Sequence, residues 1–358
     1  GEIVNQPGSR TELKGQERVQ CLSAADGSLI WKHEYDAPYA VSYASGPRAA
    51  PTVDGELVFT LGAEGFLTCL ATNDGAVRWT KDLKQEYGVE SPIWGFSAAP
   101  VVDGERVYAM VGGDGHAVVA FNKQSGDVVW KSLSDKDAGY STPTVIEAAG
   151  TRQLLVWLPS AMHSLDPATG KPYWSIDLKP DFGMSIMLPR VSGNHLFASG
   201  IGNVGAVIEL DADRPAAEVA WRGKGNNAVY CANSTPIIAD DVIYGCDCQS
   251  SQFMAVDVKT GDRLWGTLAP TVGEGNRGRH GTAFPVRNGN RYFIFSETGD
   301  LILAKLSREN YEELGRMHVV DPTNECFGRP VVWSHPAFAE QSIFARNDQE
   351  LVRVSLAK

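Results

Sequence analysis

The sequence predicts an all-β fold, an eight-bladed β-propeller with four antiparallel strands per blade, on three observations. A Gly-x₃-Trp motif recurs roughly every 47 residues. A second comb of two-residue turn signals lies between its teeth. Helical 3.6-residue periodicity is nearly absent, and the best helix candidate, at 309–314, is one or two turns at most.

The first comb pairs Gly27 with Trp31 (DGSLIW), Gly75 with Trp79 (DGAVRW), Gly126 with Trp130 (SGDVVW), Gly170 with Trp174 (TGKPYW) and Gly261 with Trp265 (TGDRLW). A degenerate copy, RPAAEVAW, ends at Trp221 and carries Ala217 where the glycine should stand. Six of the nine tryptophans therefore lie on one periodic set, which predicts equivalent indoles filling the seams between blades. An apolar run precedes each tooth (RVQCLSA, FLTCLAT, AVVAFNK, MHSLDPA, AVIELDA, QFMAVDV), so run, Asp-Gly or Thr-Gly turn and run read as a hairpin. The second comb is Asp54-Gly55, Asp103-Gly104, Ser192-Gly193 and Asn288-Gly289. Together the two combs predict four strands per repeat, A to D, the length of a propeller blade.

In chain order, residues 1–5, 18–21 and 28–34 read as strands B, C and D of a first position without its A strand. Full blades follow on Trp79, Trp130, Trp174, Trp221 and Trp265, then one without tryptophan at 282–286, 292–297, 301–306 and 313–319. SHPAFA, SIFARN and ELVRVSL supply A, B and C of a last position. The two missing strands would be one contiguous segment, expected upstream of residue 1. This yields a single propeller domain over 1–358 with eight positions. The alternative has seven blades, with 28–34 completing the C-terminal one. Closure matters because open edges invite aggregation.

Hydrophobic residues at 43%, charged residues at 21% and a net charge of −11 describe a globular chain and exclude a general nucleic-acid binder. No apolar stretch approaches the ~18–20 residues of a membrane-spanning helix.

The repeat resembles that of pyrroloquinoline-quinone-type propellers, whose usual form is ALDxxTGxxxW. AVDVKTGDRLW (255–265) and AFNKQSGDVVW (120–130) follow it closely, and the resemblance covers the chain from about Arg18 to Leu356. The closest likeness is to stand-alone bacterial repeat proteins, with GRHGTAF (278–284) and VVWSHPAFA (331–339) as a subgroup signature. The resemblance implies the fold and leaves function open, because the superfamily holds both quinoprotein alcohol dehydrogenases and a non-catalytic lipoprotein that helps assemble outer-membrane barrels. Two departures weigh against a dehydrogenase. The chain has no adjacent cysteine pair, and no motif matches the calcium-binding or catalytic carboxylates. A cofactor-free protein is the first expectation, with pyrroloquinoline quinone and calcium as the alternative. The resemblance also places the protein in the periplasm or cell envelope.

Cys21 and Cys69 share a strand-C position with Ala120 and Ala255, the place of a small buried residue. Cys231, Cys246 and Cys248 fall on one face, which leaves open a disulfide from Cys231 to either of the others, or unpaired thiols. Zinc lacks a second ligand pair at the usual spacing. GGDGHAV (112–118) is a strand connection without a following helix, not a dinucleotide fingerprint.

Strand A is innermost in a propeller, so the D–A connections open on the central funnel. They carry Arg48, Trp94, Tyr140, Arg190, Tyr230, Arg279, His280, Arg329, Trp333 and His335, with Met187, Asn233 and Arg277 beside them. Arginines concentrated there in an acidic chain suit an anionic small molecule, a glycan or a protein partner. The alternative role for these arginines is to tie blades together through carbonyls and carboxylates. Three functions are weighed: a binding or scaffold propeller, a quinone-dependent oxidoreductase, and a structural subunit of an envelope assembly. The two departures favour the first.

Overall fold

The computed structural model describes residues 4–5, 12–44 and 46–357. The chain divides into two compact units, one of Gly1–Leu188 with Asp211–Ala216, the other of Pro189–Leu210 with Ala217–Lys358.

In the first unit, strands Thr52–Asp54, Leu57–Leu61, Phe66–Ala71 and Val77–Asp82 form a four-stranded antiparallel meander. Two more follow over 101–132 and 144–177. The second unit holds three of the same kind, over 190–222, 237–267 and 283–318, then a three-stranded sheet of Ala337–Ala339, Ser342–Arg346 and Leu351–Ser355.

The described strands thus make an all-β propeller of seven blades, six of four strands and one of three. This corrects the expectation of eight. Among the described residues, Gln16–Leu22 and Leu29–Asp36 pair only with each other, a two-stranded ladder and not a blade. Val4–Asn5 does not join them as a third strand but pairs with Tyr43–Ala44. The seven-bladed alternative holds in number, yet Leu29–Asp36 does not extend the last sheet, which stays at three strands.

The second turn comb behaves as read. Asp54 pairs with Leu57, Asp103 with Arg106, Ser192 with His195 and Asn288 with Arg291, each across two residues. The first comb does not make two-residue turns. The N–H of Gly75, Gly126, Gly170 and Gly261 donates to the carbonyl four residues back, at Ala71, Asn122, Asp166 and Asp257. The ladder then shifts register by one, leaving Arg78, Val129, Tyr173 and Leu264, the residue before each tryptophan, as a bulge. Five of the six tryptophans lie opposite a small residue, Cys21, Cys69, Ala120, Ser164 or Ala255, which explains that strand-C position, while Trp221 lies opposite Val207.

The bulge delivers the indole to the following turn in the chain. Trp31 Nε1 donates to the Thr72 carbonyl (2.8 Å), Trp79 to Lys123 (3.0 Å), Trp130 to Pro167 (3.1 Å), Trp221 to Val258 (2.7 Å) and Trp265 to Ser307 (2.9 Å). The same turn's glycine lies flat on the ring. A Cβ on Gly75 would sit 2.5 Å from Trp31, and one on Gly170 2.5 Å from Trp130, with φ near 71° and 73° as well. Hence the motif requires glycine twice over, for backbone sign and for contact. Trp174 is the exception, donating to Gln153 Oε1 in its own blade (3.2 Å); the next turn in sequence is the degenerate copy. Four of the six indoles are buried, and Trp221 and Trp265 are half-buried.

Segment 309–314 is not helical. Its residues 311–314 open strand Tyr311–His318, where pairing with Asp300–Leu306 overrides local propensity. The one α-helix among the described residues is the five-residue Leu83–Tyr87, capped by Asp82 and too short to show a period.

Trp130→Ala should cost about 3–5 kcal/mol, read from denaturant unfolding. Gly170→Ala should cost clearly more than Gly104→Ala, since both have positive φ but only Gly170 faces a ring. Equal losses would contradict the clamp.

Candidate functional site

The predicted site residues divide between the two units. In the first, Trp94 and Tyr140 meet edge to face at 5.8 Å. Arg48 donates to the carbonyls of Gly46 (2.8 Å) and Ser42 (3.2 Å), and burial pushes its guanidinium below its ordinary value. Beside it lies a buried acidic pair that the sequence reading missed. Glu17 accepts from Tyr35 Oη, Tyr39 Oη (2.8 Å) and the Ala63 N–H (2.9 Å). Glu64 accepts from the Ala40 N–H, Ser91 Oγ and Lys84 Nζ (2.7 Å). Burial first, and Glu17 second, hold both tyrosine hydroxyls far above their ordinary range, so they donate and do not ionise.

In the second unit Glu297, 2% exposed, organises the arginine end. It takes a two-pronged contact from Arg329, Nε to Oε1 at 2.8 Å and Nη2 to Oε2 at 3.2 Å. Its Oε2 also accepts from Trp333 Nε1 (2.9 Å) and the Thr282 N–H (3.0 Å). Arg190 donates through Nε to the Pro236 carbonyl (3.0 Å). Tyr230 is fully buried, its hydroxyl donating to Lys224 O, and presents no surface to a ligand. Arg279 and Arg277 are exposed, and no carboxylate among the described residues pairs with either. Sequence reasoning therefore placed the arginines but not the acid that neutralises one of them. The signal available was an acid in a B–C turn directly after an apolar strand: GAEG at Glu64, CDC at Asp247 and SETG at Glu297. Each of the three accepts an N–H from the connection leading into its own blade, at Ala40, Tyr230 and Thr282.

His280 stacks parallel on Phe327 at 5.0 Å, and His335 meets Phe284 at 4.0 Å. Burial lowers both imidazoles; Arg279 and Arg329 push His280 further down, and Arg190 does so for His335. Cys231, Cys246 and Cys248 are buried thiols brought to one neighbourhood, with no bond among them. Cys246 Sγ accepts the Ala283 N–H at 3.2 Å, and burial lifts the Cys246 and Cys248 thiols to about 12. Thiols held there are poor nucleophiles.

A shallow crevice lies between Asn233, Cys246, Cys248, His280 and Thr282, with no enclosed space even for a water molecule. Among the described residues no group of three or more His, Cys, Asp or Glu is placed for a metal ion.

Glu297→Ala would leave the half-buried Arg329 guanidinium and the Thr282 N–H without their acceptor, and should cost about 3 kcal/mol in denaturant unfolding. The imidazoles set a pH dependence. In the unfolded chain they titrate near ~6.5 and in the fold lower, so the unfolded state binds more protons as pH falls below that value, and stability is lost there. His318, raised by Asp300, acts in the opposite sense. A His280→Asn, His335→Gln variant should therefore lose less stability than wild type between pH 7.5 and 5.5, followed by urea midpoints. An equal loss would show that neither ring is held neutral.

The sequence model of a family described as outer membrane protein assembly factor BamB matches residues 15–157 and 148–358. No curated protein matches the chain. BamB from Moraxella catarrhalis is similar in structure, with TM-score 0.61 at 14% identity over 98% of this chain and 95% of that one. Apo AztD from Citrobacter koseri gives 0.54 at 12% identity, over 96% and 90%. The quinohemoprotein alcohol dehydrogenase ADHIIG from Pseudomonas putida HK5 gives 0.51 at 14%, over 80% of this chain and 59% of that one. At such identities the likenesses establish the fold. No helix in the described residues is long and apolar enough to cross a membrane.

Proposed function

The chain belongs to the family described as outer membrane protein assembly factor BamB, and from that premise we propose that it is a non-catalytic scaffold of the bacterial cell envelope that works by holding a protein partner. The observation that carries this is the family match, which runs through nearly every blade. The disposition of the basic residues supports a partner protein over a small anion. Arg48, Arg190 and Arg329 direct their guanidinium groups at carbonyls and at Glu297, so they act as ties within the fold. Arg277 and Arg279, on one of these connections, are exposed on the surface. A broad, shallow contact suits that arrangement better than an enclosed ligand.

Deleting the gene from its host should lower the amount of folded outer-membrane barrel protein, and the cloned gene should restore it. A deletion strain with normal barrel content would sink the reading. In parallel, adding pyrroloquinoline quinone and Ca²⁺ to the purified protein should produce no bound-quinone absorbance and no dye-linked alcohol oxidation. Either signal would return the protein to the oxidoreductases.

A further inference from the structure

The connection after the 283–318 blade carries a feature outside the four-strand repeat. Asn324–Cys326 and Arg329–Val331 pair as a small hairpin with Phe327 and Gly328 at its tip. Both tip residues are left-handed, at φ 51° and 73°. Asparagine or glycine would be at ease there; a bulky aromatic residue is strained. Phe327 is nevertheless 52% exposed. One face lies on the ring of His280, itself left-handed at φ 57°. A strained phenylalanine is thus stacked on an imidazole to form a platform at the surface. Strain kept at an exposed position points to a role other than stability. Two exposed arginines stand on the segment of His280: Arg279 adjoins it in the chain and Arg277 is two residues further back, with Glu274 as that segment's exposed acid. Glu297 is already bound to Arg329, which leaves Glu325 as the hairpin's own exposed acid.

We propose that the Phe327 hairpin is a docking surface for an acidic polypeptide segment, which stacks an aromatic side chain on Phe327 and pairs its carboxylates with Arg279 and Arg277. The proposal rests on the scaffold reading and names the chemistry of the partner. Charge complementarity selects the occupant, since exposed, unpaired arginines flank an aromatic platform in a chain of net charge −11. An arginine fork suits carboxylates, and an exposed aromatic face suits a second ring.

The probe is a fluorescein-labelled synthetic 12-mer alternating Glu with Trp, titrated by anisotropy. Control peptides carry Ala for Trp, or Lys for Glu. Wild type should bind the Glu–Trp peptide at least about tenfold more tightly than either control, and more weakly as salt rises. Phe327→Asn should weaken binding by about tenfold without lowering the melting temperature, because asparagine tolerates the left-handed backbone. Arg279→Ala, at an exposed position, should weaken it separately. Equal binding of the Ala control, unchanged binding by either variant, or no binding by wild type would overturn the proposal. In the deletion strain, full restoration of barrel content by Phe327→Asn would sink this surface alone, whereas a deletion without effect would sink the scaffold reading.

Discussion

The indole-to-turn contact is the interaction on which the blades depend. A strand hairpin by itself has no reason to hold a neighbouring sheet at a fixed distance. Here one hydrogen bond from an indole N–H and one glycine pressed on the same ring set both the spacing and the register of the next turn. Three local choices serve that contact together. The Asp or Asn opening the turn caps its N–H groups, the glycine leaves room, and the bulge before the tryptophan aims the ring. None of these would be needed for an isolated meander, so the sequence period is the period of the contact.

A second layer of ties is polar and buried. Glu64, Asp247 and Glu297 each sit in a B–C turn and hold the connection that enters their own blade. Each also has a cation nearby: Lys84 at 2.7 Å, Arg263 at 3.6 Å and Arg329 at 2.8 Å. Buried carboxylates require such partners, and a buried pair adds less net stability than specificity of arrangement. The connections would otherwise be irregular backbone with unmet hydrogen-bonding groups. Their basic residues are thereby committed to architecture, and only those standing clear of the acids keep charge for a partner.

The blades could be read from the sequence because their determinant is local and repeated: Gly170 and Trp174 lie four residues apart in every comparable copy. The count of blades could not, since it depends on which strands Leu29–Asp36 and Leu351–Ser355 pair with, and neither segment encodes its neighbour. Segment 309–314 misled because its acidic, Leu-bearing composition favours helix, while the ladder with Asp300–Leu306 decides otherwise. The arginines of the connections were legible by position and not by partner. Arg329 was found in its connection, but Glu297 lies 32 residues away and becomes its counter-ion only once the sheet forms. Phe327 was invisible, for nothing in a single Phe-Gly pair announces a strained and exposed turn.

The 283–318 blade has no tryptophan to offer its successor. Its seam with the three-stranded sheet is made by Phe293 stacked on Phe338 at 5.3 Å and by the aliphatic cluster around Ile343 and Val332. Such a seam is greasy but undirected: it resists separation and permits sliding. Amide protons of Ser342–Arg346 and Leu351–Ser355 should accordingly exchange with solvent through a lower-energy local opening than those of the indole-clamped sheets. The second unit would then come apart in order, its last sheet peeling first and the clamped blades following together.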